Sequence, residues 1–404
     1  MFYGLIGAKL GHSYSRPIHD FFGDYDYKLF ELSADEIKSF LDTEGLAGFN
    51  ITIPYKREII KYIDGLDDIS ERLGAVNTVV KKDGKWLGFN TDYEGVKETF
   101  LRAGVDVNGK KTLVLGTGGA STAVIAYLFD HGAIVKNVSR SGELNYTNVY
   151  NESDAEIIVN ATPVGMYPNA GETLLDLNRF KNLSFAFDLI YNPRKTRFLL
   201  DAEKLGVKTC NGLPMLVYQA KKSHDIFCGK ALTQDKAEKC IKRIDDDTKN
   251  VVLIGMSGVG KSVIAKRIGE ITGKPVYDTD EEIVKRAGKT IPAIFNEDGE
   301  EVFRKLESEV IKELCSLRGI VISTGGGAVV KPENEYPLKS NGILIRIVRK
   351  KEDLSTEGRP LVEDRSAIDR LLKEREPLYR KFADFTVENN GTVDDAVGKI
   401  MEII

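Results

Sequence analysis

Gly255-Met-Ser-Gly-Val-Gly-Lys261-Ser262 is the stretch that decides the fold of this chain. It follows an apolar run, Val251 to Ile254, and precedes a segment with helical periodicity, which is the setting of a phosphate-binding loop. In this spacing the glycines let backbone N–H groups surround phosphate oxygens, the lysine reaches the β- and γ-phosphates, and the serine hydroxyl coordinates Mg²⁺. The positive end of the following helix faces the same anion. The stretch therefore predicts a site for a nucleoside triphosphate, and an ordinary glycine turn is the weaker alternative.

The composition describes a globular protein with more than one domain. The chain has 404 residues, of which 42% are hydrophobic and 29% charged, and this length exceeds one ordinary core. The net charge of -4 argues against a broad nucleic-acid or membrane surface. Since no apolar run is long enough to cross a bilayer and no signal peptide is recognisable, we expect a cytoplasmic protein with small-molecule partners. Oligomer formation stays open.

The cysteines and histidines give no sign of a metal site. Cys210, Cys228, Cys240 and Cys315 show no C-x-x-C or other zinc-like spacing, and the four histidines are scattered. We therefore expect reduced thiols, as is usual in the cytoplasm, and no histidine-based metal site.

Short apolar strands alternate with helical patterns along the whole chain, which is typical of α/β domains with parallel sheets. Residues 245–249 are charged and non-periodic, and they separate a helical pattern, residues 234–244, from the strand before the phosphate-binding loop. We place the main domain boundary there. The predicted domains are residues 1–95, completed by helices within residues 213–244, then residues 96–212, and then residues 249–404.

A second glycine-rich turn lies in the first half of the chain. Gly116-Thr117-Gly118-Gly119-Ala120-Ser121 follows an apolar strand and precedes a helix, which approximates the G-x-G-x-x-G pattern of dinucleotide-binding folds, with serine at the third glycine. At the end of the next strand, Arg140 offers a cation to the 2′-phosphate of NADP, whereas Glu143 close by leaves NAD open. We expect a Rossmann domain that favours NADP.

Small polar side chains cluster upstream of this turn, at predicted strand ends and loops. Ser13 and Ser15 flank the start of a helix, where hydroxyls either cap the helix or bind a carboxylate. Asn50 and Thr52 are two positions apart on a predicted strand and so share a face. With Asn77 close to a further strand, these groups favour a polyhydroxylated substrate over an apolar one.

Over residues 2–240 these motifs resemble the shikimate dehydrogenase family. The resemblance implies a substrate domain and a Rossmann domain, with reduction of 3-dehydroshikimate to shikimate by NADPH. It also implies a catalytic pair, Lys56 and Asp92, that exchanges the proton at the reacting oxygen. The implied substrate ligands are Ser13 and Ser15 for the carboxylate and Asn50, Thr52, Asn77 and Gln219 for the ring hydroxyls, with Tyr191 nearby. The implied cofactor contacts are Gly116, Gly118, Gly119, Ala120, Ser139, Arg140, Ser141, Asn160, Thr162, Leu189 and Gly212.

The sequence departs from the family where the adenosine phosphate binds. Ser139-Arg140-Ser141 stands in place of the family's Asn-Arg-Thr, and Leu144 lies near the position of a second arginine. We therefore expect a weaker preference for NADP than the family shows. An NAD-dependent quinate dehydrogenase stays an alternative for the first half.

The second half carries further polar groups at strand ends. Asp278 and Asp280 follow a predicted strand and share a face, so one can support Mg²⁺ while the other takes a substrate hydroxyl. Arg304 and Glu307 are three apart on a helix and can meet, although an exposed ion pair is the favoured explanation of these two residues taken alone. Gly325-Gly326-Gly327 permits close approach of backbone to a ligand.

Two more stretches complete the motifs of the second half. Gly358-Arg359-Pro360-Leu361 lies in a polar region suited to a lid, and Arg375-Glu376-Pro377-Leu378-Tyr379 is expected to begin another element. Residues 249–404 together resemble the shikimate kinase family. The resemblance implies a parallel, five-stranded P-loop domain of the nucleoside-monophosphate-kinase type that phosphorylates the 3-hydroxyl of shikimate with ATP and Mg²⁺.

The kinase resemblance also implies roles for individual residues. Gly255, Gly258, Gly260 and Lys261 would hold the phosphates, and Ser262 and Asp278 would serve Mg²⁺. Asp280 would accept the proton of the substrate hydroxyl, and Arg359 would stabilise the transferring phosphoryl group. The implied ring and carboxylate ligands are Gly325, Gly326, Gly327, Arg304 and Arg375, with Glu307 positioning the two arginines.

The two resemblances imply consecutive steps of aromatic amino-acid biosynthesis. Whether shikimate is channelled between the sites stays open. The alternative from another class is a regulatory sensor that kept ligand binding and lost catalysis. The presence of Lys56, Asp92, Lys261, Asp280 and Arg359 argues against it, and neither a helix-turn-helix pattern nor a basic cluster stands out.

Overall fold

The structure is a computed structural model that describes residues 1–11, 13–353 and 365–404. The chain divides into two compact units. The first unit comprises Met1–Val164, Thr173–Tyr191 and Asp201–Arg243, and the second comprises Gly165–Glu172, Asn192–Leu200 and Ile244–Ile404. Within the described part of the chain, each helix is too short or too polar to cross a membrane.

A six-stranded mixed sheet begins the first unit. Its strands are β1 (Phe2–Gly7), β2 (Tyr27–Glu31), β3 (Leu46–Ile51), β4 (Gly65–Leu66), β5 (Thr78–Lys82) and β6 (Lys85–Phe89). They lie in the order β2-β1-β3-β5-β6-β4, and β5 is antiparallel to both of its neighbours. The helices of this region are α1 (Ser15–Phe22), α2 (Ile37–Phe40), α3 (Asp68–Leu73) and α4 (Asp92–Ala103). Phe49 is fully buried and packs edge-on against Phe40 and Trp86 in the core beneath the sheet.

A five-stranded parallel sheet follows in the same unit. Its strands are β7 (Lys111–Leu115), β8 (Ile134–Val138), β9 (Ile157–Asn160), β10 (Phe185–Asp188) and β11 (Lys208–Cys210). The order β11-β10-β9-β7-β8 reverses at β7, which is where a doubly wound sheet opens a crevice for a ligand. The helices that follow are α5 (Gly119–Asp130), α6 (Arg197–Lys204), α7 (Leu213–Cys228) and α8 (Gln234–Thr248).

The second unit is built on another parallel sheet. Its strands are β12 (Asn250–Ile254), β13 (Val276–Asp278), β14 (Val321–Ser323), β15 (Gly342–Val348) and β16 (Phe385–Glu388), in the order β13-β14-β12-β15-β16. Its helices are α9 (Lys261–Thr272), α10 (Thr279–Ala287), α11 (Ile291–Glu297), α12 (Glu300–Ser316), α13 (Glu335–Asn341), α14 (Arg365–Phe382) and α15 (Val393–Ile403). The central strand β12 is buried along its whole length. The predicted α/β class, with a Rossmann sheet and a five-stranded P-loop sheet, is confirmed.

The predicted break at residues 245–249 is wrong, because α8 runs through most of it. The acidic run remains helical because its charges are paired. Arg194 forms hydrogen bonds of 2.5 and 2.9 Å with the two carboxylate oxygens of Asp245, and Lys249 Nζ lies 2.6 Å from the carboxylate of Asp246. The acidic charges were visible in the sequence. The pairing of Asp245 with the distant Arg194, which offsets the repulsion between these charges in a helix, was not.

The second unit also takes up two short segments from the predicted Rossmann region. Residues 165–172 and 192–200 belong to it, and in the second of them the backbone N–H of Lys195 donates to the carbonyl of Ser340 at 2.8 Å. The contiguous three-domain division drawn from the sequence stays a prediction. A further element boundary was wrong, since Arg375 lies inside α14 and does not begin it.

Two glycines inside helices of the second unit provide a matched test of packing. A Cβ at Gly269 in α9 would lie 2.2 Å from Val276 Cγ2, whereas a Cβ at Gly398 in α15 would meet no described atom within 4 Å. We expect Gly269→Ala to destabilise the unit by about 1–3 kcal/mol through overpacking. Gly398→Ala should stabilise it by roughly 0.5–1 kcal/mol through helix propensity. Urea unfolding of both variants measures the two shifts, and shifts of the same sign would contradict this account.

Candidate active sites

Lys56 and Asp92, the predicted catalytic pair, meet in the structure. Lys56 Nζ lies 2.6 Å from Asp92 Oδ2, and the second carboxylate oxygen accepts a hydrogen bond of 2.9 Å from Asn77 Nδ2. The Lys56 side chain is 19% exposed and that of Asp92 only 8%, so the ammonium is the member of the pair that a ligand reaches. A Cβ at Gly119 would lie 3.8 Å from Lys56 Cδ, so the dinucleotide turn lies beside the pair.

Asn77 connects the catalytic pair to a second predicted ligand, Gln219. Its side-chain oxygen accepts the backbone N–H of Thr91 at 2.7 Å, and its Nδ2 lies 3.4 Å from Gln219 Oε1. The hydroxyl of Thr91 lies at the same distance from that oxygen. The structure therefore brings Asn77, Gln219 and Asp92 to one place, although they come from a loop, from α7 and from the start of α4.

Asn50 is more deeply enclosed than the sequence suggested. It is buried, its Oδ1 accepts a hydrogen bond of 2.7 Å from Tyr27 Oη, and its Nδ2 lies 2.8 Å from Ser223 Oγ and 2.9 Å from Thr78 Oγ1. Thr52 directly follows β3 and is half-buried, and its backbone N–H donates to the carbonyl of Ile6 at 3.0 Å, so the shared face of Asn50 and Thr52 stays a prediction. Asn50 holds three protein hydroxyl groups around the site. Its contact with a ring hydroxyl stays a prediction, because a ligand would have to replace one of these hydroxyl groups as its hydrogen-bond partner.

Sequence reasoning missed two of the three hydroxyl groups around Asn50. Thr78, on β5, directly follows Asn77 in a polar stretch at a predicted strand end, whereas Tyr27 and Ser223 lie on β2 and α7 and no local motif marks them. Ser223 is four residues after Gln219, which places both on one face of α7, and this spacing was the one available signal.

The predicted carboxylate ligands lie together at the start of α1. Ser13 Oγ accepts the backbone N–H of Ser15 at 3.2 Å. The ring of Tyr14, between them, lies 5.2 Å from the ring of Tyr191. Tyr191 is thus brought close to the serines, as predicted from the resemblance, and the helix start offers backbone N–H groups to an anion.

The turn after β7 has the backbone of a dinucleotide-binding loop. Gly116 has a φ of 106°, in the left-handed region, and a Cβ there would lie 3.0 Å from Thr162 Cγ2. Ser121 Oγ donates to the carbonyl of Gly116 at 2.7 Å, which gives a physical reason for serine at the third position of the pattern. The residues at the start of α5 are Gly118, Gly119 and Ala120.

Four predicted cofactor contacts lie at the carboxyl ends of β9 and β10 and just before α7. Asn160 Oδ1 accepts a hydrogen bond of 2.7 Å from Thr162 Oγ1, and Asn160 Nδ2 donates to the buried carboxylate of Asp188 at 3.1 Å. A Cβ at Gly212 would lie 1.9 Å from the carbonyl oxygen of Leu189. Only glycine fits there, so these loops meet without a side chain between them.

Ser139, Arg140 and Ser141 follow β8, the strand next to β7. Arg140 and Ser141 are exposed, and the backbone N–H of Ser139 donates to the carbonyl of Leu144 at 3.2 Å. Asn137, on β8, donates to the carbonyl of Gly116 at 2.7 Å and ties the end of this strand to the dinucleotide turn. The guanidinium group of Arg140 is therefore accessible to an anion at this end of the sheet.

The loop after β12 has the backbone that its glycines predicted. Gly255, Gly258 and Gly260 have φ values of 141°, 88° and 97°, which are all positive. Lys261 is buried, and its ammonium donates to the carbonyls of Gly255 and Met256 at 2.7 and 2.8 Å. The lysine charge is therefore held within the turn from which the backbone N–H groups of α9 point outward.

Ser262 and Asp278 provide oxygen donors beside this loop. Ser262 Oγ lies 2.7 Å from Asp278 Oδ2 and 3.3 Å from Ser323 Oγ, and Asp278 Oδ1 accepts the backbone N–H of Asp280 at 3.0 Å. A hydroxyl group and a carboxylate side by side are the hard oxygen donors that Mg²⁺ prefers. The donor set therefore fits this cation.

Two buried carboxylate oxygens face the glycine triplet. Asp280 Oδ1 and Glu307 Oε1 have no hydrogen-bond partner among the described residues, and a Cβ at Gly325 would lie 2.6 and 2.9 Å from them. A buried acceptor without a partner is costly, so its persistence indicates a ligand donor at this place. Burial, together with the charges of Asp278 and Glu307, raises the pKa of Asp280 to about 6.

Arg304 and Glu307 form a buried pair, which removes the exposed ion pair as an explanation. Arg304 Nη1 lies 2.7 Å from Glu307 Oε2, and the two side chains are 5% and 1% exposed. A Cβ at Gly327 would lie 2.0 Å from Arg304 Nη1, and Arg375 Nη1 donates to the carbonyl of Gly326 at 3.1 Å. The two guanidinium groups therefore converge on the triplet, as an anion clamp requires.

Tyr379 is a further residue of this site that the sequence did not single out. Its hydroxyl donates to the carbonyl of Gly326, the acceptor that Arg375 also uses. The two residues are four apart on α14, and that spacing could have identified it. Arg359, predicted to lie on the lid, falls outside the described residues.

The fold and the two sites together define the class of protein. The first unit combines a Rossmann sheet with a lysine–aspartate pair beside its dinucleotide turn, which is the arrangement of a dinucleotide-dependent oxidoreductase. The second combines a phosphate-binding loop with a buried carboxylate and an arginine clamp, which is the arrangement of a small-molecule phosphotransferase.

Comparison with known proteins gives the family. The family model of the shikimate dehydrogenase substrate binding domain matches residues 5–79, and the family model of shikimate kinase matches residues 257–404. The NADP(+)-dependent shikimate dehydrogenase of Clostridium beijerinckii is 38% identical over 246 residues, which are 56% of this chain and 91% of that relative. The chain belongs to the shikimate dehydrogenase family and carries a shikimate kinase domain in its C-terminal part.

Two solved structures show the same fold in the dehydrogenase part. A chorismate mutase/shikimate 5-dehydrogenase fusion protein from Clostridium acetobutylicum is 36% identical, with a TM-score of 0.59, and the match covers 61% of this chain and 97% of that one. The shikimate 5-dehydrogenase of Thermus thermophilus, in complex with NADP(H) and shikimate, is 28% identical, with a TM-score of 0.54 and coverages of 60% and 99%.

The position of Lys56 leads to a first test of the dehydrogenase site. Lys56→Met removes the predicted proton donor while keeping the length of the side chain, so we expect kcat for reduction to fall by about 10²–10⁴. Lys61→Met is the matched control, since Lys61 is 66% exposed and pairs with Glu58 at the surface. Steady-state oxidation of NADPH measures both. Undiminished kcat in Lys56→Met would contradict the assignment. Retained kinase activity in the same sample would show that the second unit is folded, and an unchanged KM for NADPH would show the same for the first unit.

The raised pKa of Asp280 leads to a test of the kinase site by pH. An acceptor of the hydroxyl proton must be ionised, so we expect kcat/KM of the kinase to fall as the pH decreases through about 6. Asp280→Asn should abolish this activity at every pH and leave the dehydrogenase unchanged. Coupled ATP turnover between pH 5 and 8 measures the profile, and a profile without an inflection near 6 would count against Asp280.

The same substitution should increase stability. A folded-state pKa above the ordinary 3.8 means that the folded protein binds the proton more tightly, so the ionised carboxylate weakens the fold once the pH has risen through about 6. At pH 7.5 we expect Asp280→Asn to raise the free energy of unfolding by up to about 3 kcal/mol. The gain should shrink as the pH falls from 6 towards 4. Chemical denaturation at these pH values checks the prediction, and a destabilised variant at pH 7.5 would refute it.

Proposed function

We propose that this protein reduces 3-dehydroshikimate to shikimate with NADPH and then phosphorylates the 3-hydroxyl of shikimate with ATP and Mg²⁺. These are consecutive steps toward chorismate and the aromatic amino acids. The observation that carries the proposal is that both sites contain the same two kinds of groups. Each has donors for a carboxylate, Ser13 and Ser15 in one and Arg304 and Arg375 in the other, and each has polar groups for ring hydroxyls.

In the first step, a carbonyl group gains a hydride at carbon and a proton at oxygen. Bound NADPH supplies the hydride. The ammonium group of Lys56 supplies the proton, because it is the exposed member of a pair held at 2.6 Å by the more buried Asp92. Asn77 donates to the other oxygen of that carboxylate and thereby fixes its orientation. The lysine takes up a new proton from solvent before the next turnover.

The Thermus thermophilus relative, determined with NADP(H) and shikimate, supports these ligands for the first site. The exposed Arg140 supports a phosphate on the adenosine ribose, while the absence of a second arginine near Leu144 in the sequence reduces the expected discrimination against NAD. We therefore assign NADPH as the main reductant.

In the second step, the substrate hydroxyl loses its proton to Asp280 while its oxygen attacks the γ-phosphorus of ATP. The unpartnered, buried Asp280 Oδ1 supports this role, since its protein surroundings leave it free to accept a proton from a ligand. Arg304 and Arg375 hold the carboxylate of the ring, and the loop from Gly255 to Lys261 holds the phosphates. Ser262 and Asp278 would hold Mg²⁺, which would supply positive charge against the phosphates.

A single reaction mixture tests the whole proposal. The purified full-length protein is incubated with 3-dehydroshikimate, NADPH, ATP and Mg²⁺, and the products are followed by mass spectrometry. We expect shikimate 3-phosphate only when both NADPH and ATP are present. Omission of ATP should leave shikimate, and omission of NADPH should leave the starting compound.

Single-site variants sharpen this experiment. Lys56→Met should form shikimate 3-phosphate only from added shikimate, and Asp280→Asn should stop at shikimate. Quinate with NAD, run in parallel, tests the alternative substrate. Accumulation of unphosphorylated shikimate by the unaltered protein would refute the kinase assignment, and ligand binding without either product would favour a sensor.

A further inference from the structure

Asp24, His224 and Cys228 bring three different ligand atoms together at the end of α7, and neither active site uses them. His224 Nε2 lies 3.2 Å from Asp24 Oδ2 and 3.6 Å from Cys228 Sγ. All three atoms lie within 4.8 Å of one another. Asp24 lies between α1 and β2, two hundred positions before His224, so the contact is created by the fold.

The distances match the edges of a tetrahedral metal site. With metal–nitrogen and metal–oxygen bonds of about 2.0–2.1 Å and a metal–sulfur bond of about 2.3 Å, tetrahedral angles place N and O about 3.3 Å apart and N and S about 3.5 Å apart. The observed separations are 3.2 and 3.6 Å. The third pair, Asp24 Oδ and Cys228 Sγ, lies within 4.8 Å, so two of the three edges already match and the third requires at most a movement of about 1.3 Å toward the tetrahedral value of about 3.5 Å.

The local structure prepares His224 for coordination. His224 and Cys228 are four apart on α7 and so project from one face of the helix. The His224 side chain is fully buried, whereas Asp24 is 60% exposed and Cys228 is exposed, so one side of the cluster faces solvent. His224 Nδ1 lies 3.7 Å from Asp225 Oδ1, which is beyond hydrogen-bond distance, and it has no hydrogen-bond partner among the described residues. The negative charge on that side nevertheless favours the tautomer with the proton on Nδ1, which would leave Nε2 as the ligand.

We propose that Asp24, His224 and Cys228 form a site for a zinc-type divalent cation, with water in the fourth position. Imidazole, thiolate and carboxylate are the ligand types that Zn²⁺ takes in proteins, and three protein ligands with one open position form a recognised class of zinc site. The thiolate disfavours Mg²⁺ and Ca²⁺, which prefer oxygen ligands only. The rival explanation is an ion pair in which a protonated His224 lies between the carboxylates of Asp24 and Asp225.

The site changes an expectation drawn from the sequence, which considered cysteine pairs and histidine clusters separately. The spacing His-x-x-x-Cys combines one histidine with one cysteine. The third ligand, Asp24, lies two hundred positions earlier in the sequence than His224. The cation links the loop after α1 to the end of α7. Because α1 begins at Ser15 and α7 carries Gln219 and Ser223, the link connects two elements of the dehydrogenase site.

Cobalt provides the decisive probe, because a thiolate–Co²⁺ bond gives a charge-transfer absorption that oxygen and nitrogen ligands do not. Tag-free, chelator-treated, full-length protein is titrated with Co²⁺ in an excess of Mg²⁺, which keeps oxygen sites occupied. We expect one equivalent to bind with this absorption and the visible spectrum of a tetrahedral site, and Zn²⁺ to displace it. Metal analysis of the untreated protein should give about one zinc per chain.

Variants separate the metal site from the ion pair. Cys228→Ser should abolish the charge-transfer absorption, and Asp24→Asn, at an exposed side chain that folding tolerates, should weaken Co²⁺ binding by at least about tenfold. Cys210→Ser is the matched thiol control and should change neither the charge-transfer absorption nor the affinity for Co²⁺. Zn²⁺ should raise the melting temperature of the unaltered protein but not that of Cys228→Ser. Absence of the absorption in the unaltered protein, or its survival in Cys228→Ser, would overturn the proposal in favour of the ion pair.

Discussion

Both sites depend on charged groups that the fold removes from water near the carboxyl ends of its strands. Burying a charge without a partner costs several kcal/mol, so each group must be paired or must shift its pKa. Arg304 is paired with Glu307 at 2.7 Å, and Asp92 is paired with Lys56 at 2.6 Å. Asp280 keeps one carboxylate oxygen without a hydrogen-bond partner among the described residues, and its pKa rises to about 6. A ligand can supply the missing hydrogen-bond donor.

The two sites would bind the proposed carboxylate through different interactions. In the first unit, neutral hydroxyls and the start of α1 would contact the anion, and a network of amides and hydroxyls around Asn50 and Asn77 fixes the surrounding geometry. In the second, two guanidinium groups converge on backbone that carries no side chain, since a Cβ at Gly327 would overlap Arg304. Glycine is needed there because charged atoms occupy the space of a side chain.

How far the sequence predicts these sites follows from how local each feature is. The phosphate-binding loop, the dinucleotide turn and the Lys56–Asp92 pair were recognisable because each is marked by a short motif or a family pattern. Tyr27, Ser223 and Tyr379 were missed because single hydroxyls carry no such mark. The helix through residues 245–248 was also missed, because its acidic charges are compensated by Arg194, fifty-one positions away from Asp245. Long-range pairing cannot be read from spacing.

The difference between the two carboxylate sites has a consequence for the direction of the proposed reaction sequence. The hydrogen bonds to an ionised carboxylate are charge-assisted in both sites, but a guanidinium group adds an opposite charge and can donate two parallel hydrogen bonds. A product released by the hydroxyl-lined site would therefore meet, in the arginine-lined site, groups that hold its carboxylate more firmly. Reduction of a ketone by NADPH leaves an alcohol that the first site must release, and phosphorylation converts that alcohol to an ester with a new double charge. Removal of the alcohol in this way draws the reversible first step forward, without any requirement for a passage between the sites.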